Sequence, residues 1–296
     1  MASKRGARWS TPRGSSRPSK ASTAPATSAV RYLFMPDDEY EVLIARHGTR
    51  TGTRGEAFLN YELYGEPDAP LTTDYYFWVV RNSARTIIVD TGFDAAAATR
   101  RGRAVLNRPT DLLRRMGVDP GAGHPVVITH AHWDHIGNLD LFPASQFWIA
   151  RAEATFWSTP VSRKRVIAHF TEARELEQLA RLGEEGRLTY FDDRADVAPG
   201  VAVQRVGGHT PGQSMVTVRT SAGVVLLTSD VVHFAEELRD ERPFVSVTDL
   251  PAMYKGFWTV KQLLESGAID IVVTGHDPAP GRAEIIEKDI AVIGRI

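Results

Sequence analysis

The stretch Thr129-His130-Ala131-His132-Trp133-Asp134-His135 puts four metal-ligating side chains within six residues, as His-x-His-x-Asp-His. His130 and His132 alternate by two, so in extended chain they project to one side. Asp134 and His135 then lie on the turn that opens the next element. A divalent ion takes several such ligands, and a catalytic ion keeps one position for water. Three further candidates end apolar runs: His209 in Gly207-Gly208-His209-Thr210-Pro211-Gly212, Asp230 after 225–229, and His276 after 271–275. The glycines before His209 let the backbone turn tightly and bring the imidazole close. A carboxylate such as Asp230 has two oxygens and can bridge two cations. Singly, a histidine at a strand end is more often a hydrogen-bonded structural residue than a ligand. As a set with the first motif, the three later positions complete two coordination spheres.

Such groups need rigid supports, and the apolar pattern supplies them. Residues 42–45 read as a short strand. Residues 75–80 and 86–89 read as two strands around a turn at Asn82-Ser83. Residues 125–129 form a buried strand that runs straight into the His motif. Further strands are expected at 146–150, 188–191, 201–206 and 269–273, with a hairpin of 214–218 and 224–228 around Ala222-Gly223. Helices are expected at 111–116, along the charged amphipathic stretch 163–182, and after Asp249, which can cap a helix through Met253, Phe257, Val260 and Leu264. Two mixed sheets packed face to face with helices outside satisfy this order.

Composition narrows the chemistry. The 296 residues are 43% hydrophobic and 24% charged, enough for a real core. The formal net charge of −1 gives no general pull toward nucleic acid or anionic lipid. There is no cysteine, so any metal binds through nitrogen and oxygen. No apolar run is long enough to span a bilayer. Residues 1–36 are basic and rich in Ser, Thr and Pro, and Asp37 is the first acid. That stretch reads as a disordered tail, a plainer reading than a transit peptide. Residues 37–296 read as the folded domain, with a helical insert at about 151–187.

The chain resembles the metallo-β-lactamase superfamily in five places: Val89-Asp90-Thr91-Gly92, the motif at 130–135, the turn at 208–212, Ser229-Asp230 and Gly275-His276. The likeness spans about residues 40–280. It implies an α/β fold, the αββα sandwich of two mixed β-sheets flanked by helices, with the site at one edge. It also implies that His130, His132 and His209 hold one ion, that Asp134, His135 and His276 hold a second, and that Asp230 bridges them. Asp90 would stand behind the ligands and orient their loop. Two divalent metal ions, zinc foremost, are the implied cofactors. Within the superfamily the chain is most similar to the N-acyl-homoserine lactonase branch, through 74–80, 89–93, Ser229-Asp230, Arg242-Pro243-Phe244 and Gly275-His276-Asp277-Pro278. One position departs. That branch carries a tyrosine three residues after the bridging aspartate, and this chain has His233.

The activity so implied is opening of a lactone by a hydroxide held between the ions, hence quorum quenching. Asp134 would carry the proton to the leaving group, and His233 would stabilise the oxyanion. Tyr76, Trp133, Phe156, Trp157, Phe234 and Phe244 are candidate pocket walls, although each taken alone reads more readily as ordinary core. His47, His124 and His169 match no ligand position. A thioester hydrolase of the glyoxalase II type shares the metal set and is the enzymatic rival. A non-catalytic metal-binding module on the same fold is the alternative from another class. The expected partner is a small-molecule lactone or ester, with neither nucleic acid nor membrane, in the cytoplasm. A homodimer is compatible with these properties.

Overall fold

Runs such as Leu43-Ile44-Ala45 and Phe77-Trp78-Val79-Val80 are apolar on both faces of a strand, so each sheet they join must be covered twice. The computed structural model, which describes residues 38–278 and 281–296, meets that demand with two packed sheets and helices outside them. The expected tail at 1–36 lies outside the described residues.

In chain order the strands are β1 (Glu41–Thr53), β2 (Pro70–Arg81), β3 (Thr86–Val89), β4 (Ala104–Val105), β5 (Val126–Ile128), β6 (Phe147–Ala150) and β7 (Leu188–Phe191). They continue with β8 (Arg194–Ala198), β9 (Val201–Arg205), β10 (Ser214–Thr220), β11 (Gly223–Ser229), β12 (Ile271–Thr274), β13 (Glu284–Glu287) and β14 (Ile290–Ile293). The helices are α1 (Arg54–Ala57), α2 (Ala95–Arg100), α3 (Pro109–Arg115), α4 (Arg151–Trp157), α5 (Arg165–Ala168), α6 (Ala173–Glu184), α7 (Ala235–Asp240) and α8 (Leu250–Glu265).

One sheet has the order β13-β14-β1-β2-β3-β5-β6-β7, with β4 also on β1. The other has the order β12-β11-β10-β9-β8. Both are mixed: β3, β5, β6 and β7 pair in parallel, as do β11 and β12, and the remaining pairs are antiparallel. Val42, Ile44, Trp78 and Val89 from the first sheet meet Val203, Val216, Leu227 and Val273 from the second. On the outer face of the first sheet, Leu43, Phe77 and Ile149 pack with Leu112 of α3, Trp157 of α4 and Leu179 of α6. Outside the second sheet, Met215 and Leu226 pack with Met253, Phe257 and Val260 of α8. Burying each such side chain contributes about 1.5–3 kcal/mol.

The expected αββα sandwich is therefore the fold, with differences at its margins. Strand β1 runs for 13 residues because polar residues beyond Arg46 continue the pairing past a bulge at Arg46/Gly48. Strand β8 and the β13–β14 hairpin lie at or near sheet edges, where exposed polar residues break the apolar alternation. The stretch 163–182 divides into α5 and α6. The side chain of Asp249 caps α8 by accepting from Ala252 N–H at 3.0 Å. Among the described residues no helix is long and apolar enough to cross a membrane.

Candidate metal centre

Parallel pairing delivers the site residues to one edge. Strands β3 and β5 run side by side with Val89 opposite Val127, so Asp90 and Thr129 emerge together. Strands β11 and β12 run side by side with Ser229 opposite Thr274, so Asp230 and His276 emerge nearby. Two non-glycine residues there adopt left-handed backbone, Asp90 at φ 60° and Ser229 at φ 45°; such strain gathers where function holds it. The turn before His209 uses Gly207 (φ 79°) and Gly208 (φ 94°). A methyl group on Gly208 would stand 2.7 Å from the Met253 backbone.

Each imidazole is steered by a second contact. His209 donates through Nδ1 to the Ser246 carbonyl at 2.7 Å, and His276 through Nδ1 to the Asp74 carbonyl at 2.8 Å. His135 Nδ1 lies 2.7 Å from Asp90 Oδ2, and Asp90 also accepts Thr129 N–H and Oγ1–H, both at 2.8 Å. Thr129 Oγ1 is 3.2 Å from His130 Nδ1. These contacts turn the four Nε2 atoms inward.

The inward atoms form two groups, His130, His132, His209 and Asp230 in one, Asp134, His135 and His276 in the other, each within 4.8 Å. Asp230 faces both. Its Oδ2 lies 3.3 Å from His209 Nε2 and 3.7 Å from His130 Nε2. Its Oδ1 lies 3.2 Å from His276 Nε2 and 3.4 Å from His135 Nε2. Asp134 Oδ2 lies 3.8 Å from His276 Nε2 and 3.9 Å from His135 Nε2. His132 turns Nδ1 inward, 2.8 Å from His209 Nε2.

Burial holds His130 and His209 well below the usual histidine range and takes His132 to about 3. Burial also opposes the charged form of His135, but Asp230, Asp90 and Asp134 outweigh it and raise that residue. Burial works against the ionised form of Asp230, yet His233, His276, His135 and His130 hold its carboxyl well below the usual range. Neutral His130, His132 and His209 beside an ionised Asp230 are in the protonation states that ligation requires, whereas His135 would have to give up its proton to a cation.

The other expected site residues fall differently. Trp133 is buried in a cluster with Tyr75 and Phe93, stacked on Phe93 at 5.1 Å. Trp157 lies 5.8 Å from the His132 ring, and Phe244 stacks on His233 at 4.0 Å. Phe156 packs on Trp157 and the outer core, and Phe234 packs among Ala57, Phe58 and Tyr61. Tyr76 is not at the cluster. Strand alternation turns it into the core between the sheets, with its hydroxyl donating to the Asp277 carbonyl at 2.8 Å. Its neighbour Tyr75 stands edge-on to His276 at 5.2 Å instead. Phe170, 5.5 Å from the His132 ring, also belongs to the surroundings, and no local pattern marks it. His233 is fully buried. Its Nε2 is 3.1 Å from Asp230 Oδ2 and its Nδ1 3.2 Å from Glu237 Oε2, so the ring lies between these two carboxylates.

The model of the metallo-beta-lactamase superfamily matches residues 73–276. An N-acyl homoserine lactonase of a Bacillus sp is 26% identical over 230 residues, 71% of this chain and 84% of that protein. The solved structure of a quorum-quenching N-acyl homoserine lactone lactonase superposes with a TM-score of 0.66 at 20% identity, covering 82% of this chain and 94% of that one. AidC, described as a dizinc quorum-quenching lactonase, superposes with a TM-score of 0.62 at 18% identity, covering 88% and 96%. At those identities the two structures speak for the fold, and the family match speaks for descent. The chain belongs to the metallo-beta-lactamase superfamily and is a hydrolase of that superfamily.

Proposed function

We propose that this chain is a two-metal hydrolase that opens lactones of the N-acyl-homoserine type. The observation that carries the reading is Asp230, whose two oxygens face two separate groups of imidazoles. Among the seven candidate ligands three buried atoms, His130 Nε2, His135 Nε2 and Asp230 Oδ1, have no hydrogen-bond partner. Leaving a buried polar atom unpaired costs about 1–3 kcal/mol, and cations would satisfy all three. The donor set fits. His130, His132 and His209 would hold one ion, Asp134, His135 and His276 the other, with Asp230 between them. Nitrogen and oxygen donors suit zinc and also accept iron, manganese or cobalt.

Two divalent ions held there would supply Lewis acidity, lowering the pKa of water to about 7 and polarising a carbonyl oxygen. The side chains do the rest. Asp134 is the most exposed of the seven, at 8%. Its carboxylate takes the proton of the attacking water and returns it to the ring oxygen as that oxygen leaves. Tyr75, Phe170 and Phe244 supply aromatic surface beside the centre, suited to an acyl tail. The oxyanion role expected of His233 does not fit a fully buried ring that lies against Asp230 and Glu237. His233 acts instead by holding Asp230 in place. The likeness to N-acyl homoserine lactonases supports the choice of substrate.

The test is metal analysis of the full chain, with short- and long-chain N-acyl homoserine lactones assayed beside aryl esters and glutathione thioesters. Two metal equivalents and lactone turnover that chelation abolishes and zinc restores are expected. Turnover of thioesters alone would make the chain a thioesterase. Two metals with no carbonyl substrate turned over would make it a binding module.

A further inference from the structure

Glu153 lies in the first turn of α4 and is fully buried. Its Oε1 accepts Ala131 N–H at 2.8 Å and the Trp157 indole N–H at 2.7 Å. Its Oε2 accepts the Thr210 hydroxyl at 2.7 Å and Gly212 N–H at 2.9 Å. Ala131 sits between His130 and His132, while Thr210 and Gly212 lie one and three residues after His209. One carboxylate therefore ties together the two loops that carry the three imidazoles facing one side of the centre. The approach is close, since a methyl group on Gly212 would meet Glu153 Cβ at 2.3 Å. Taking a carboxylate wholly out of water is unfavourable, and burial pushes this carboxyl up, against the four donors that favour its ionised form. The opposite group is anchored elsewhere, His135 on Asp90 and His276 on the Asp74 carbonyl.

We propose that Glu153 is a positioning residue that locks the His130–His132 segment against the His209 turn and so sets the metal affinity of the three-imidazole side. This rests on the two-metal reading above. An amide cannot replace the carboxylate. If its oxygen takes Ala131 and Trp157, its NH2 group faces Gly212 N–H; if it is turned over, the NH2 group faces two N–H donors. Groups that orient metal ligands typically tune affinity ~10–100-fold.

The test is zinc titration of the metal-free full chain against a chromophoric chelator, with Tm recorded in parallel. Wild type is expected to take two equivalents. Glu153→Gln is expected to weaken one of them ~10–100-fold and leave the other within about two-fold. The loss should persist in a His276→Ala background and vanish in a His209→Ala background. Thr210→Val, which removes one of the four donors, should weaken the same equivalent by a smaller factor, and it carries the test alone if Glu153→Gln fails to fold. Unchanged affinities in folded variants, or equal weakening of both equivalents with a lowered Tm, overturn the proposal. Wild type that takes up no zinc overturns the two-metal reading and this proposal together. Wild type with two equivalents and an indifferent Glu153→Gln overturns this proposal alone.

Discussion

Asp230 joins two half-sites because its two oxygens look in different directions. Replacing it with Asn keeps the shape but removes one acceptor oxygen and the charge. Asp230→Asn should lose at least one metal equivalent and lower lactone kcat/KM by about 10³ or more, since two-metal catalysis needs both ions. Elemental analysis and turnover on one preparation check this. His233 offers a second test at this scale. His233→Phe preserves an aromatic ring against Phe244, and Glu237 still accepts the backbone N–H of residues 233 and 234. A residue that holds Asp230 should cost about ten-fold in metal affinity when replaced. An oxyanion donor would instead lower kcat with metal content intact, so titration and kinetics separate the two roles.

The elements explain why ligands so far apart in the chain share one edge. Parallel strands end at the same side of a sheet, so β11 and β12 deliver Asp230 and His276 together. The His209 turn has to bend sharply over the first residues of α8, and Gly208 is the residue that permits it. Its φ of 94° suits glycine alone, and a side chain would meet the Met253 backbone. Gly208→Ala should therefore cost about 2–4 kcal/mol through strain and displaced packing, and shift His209 away from its partners. Denaturant unfolding measures the first effect and zinc titration the second. A variant with wild-type stability and affinity would show that the turn has slack.

At the scale of the whole molecule, the helices over the first sheet carry a liability that pH exposes. Glu175 in the first turn of α6 is buried, and its Oε2 has no hydrogen-bond partner. Burial, with Glu172 and Asp134 adding to it, pushes its carboxyl up to about 9. The folded state then holds a proton that the unfolded chain releases in the ordinary carboxylate range. Stability should fall as pH rises from about 5 to about 9, because the native state binds more protons across that window. Glu175→Gln removes this slope. Its Tm should match wild type near pH 5 and exceed it increasingly toward pH 9, as thermal unfolding over a pH series would read. Parallel curves for the two proteins would mean that Glu175 ionises freely in the fold.

The amino-acid order determined what depends on near neighbours. Four ligand-capable side chains within six residues, the apolar strands and the glycines around His209 are short-range facts, and with the family likeness they pointed to the αββα sandwich. Tertiary structure decided what depends on long-range pairing. Strand parity alone could not say which face of β2 looks at the cluster, so Tyr75 rather than Tyr76 emerged only once β2 was set between β1 and β3. Residue types made His233 a candidate donor, and only the fold set its ring between Asp230 and Glu237. Glu153 gave no signal at all, because a carboxylate advertises its partners only when residues 22, 57 and 59 positions away fold against it. Local order sets which groups are offered, but sheet register and helix packing choose which of them meet, since those contacts form between segments with no covalent reason to be close.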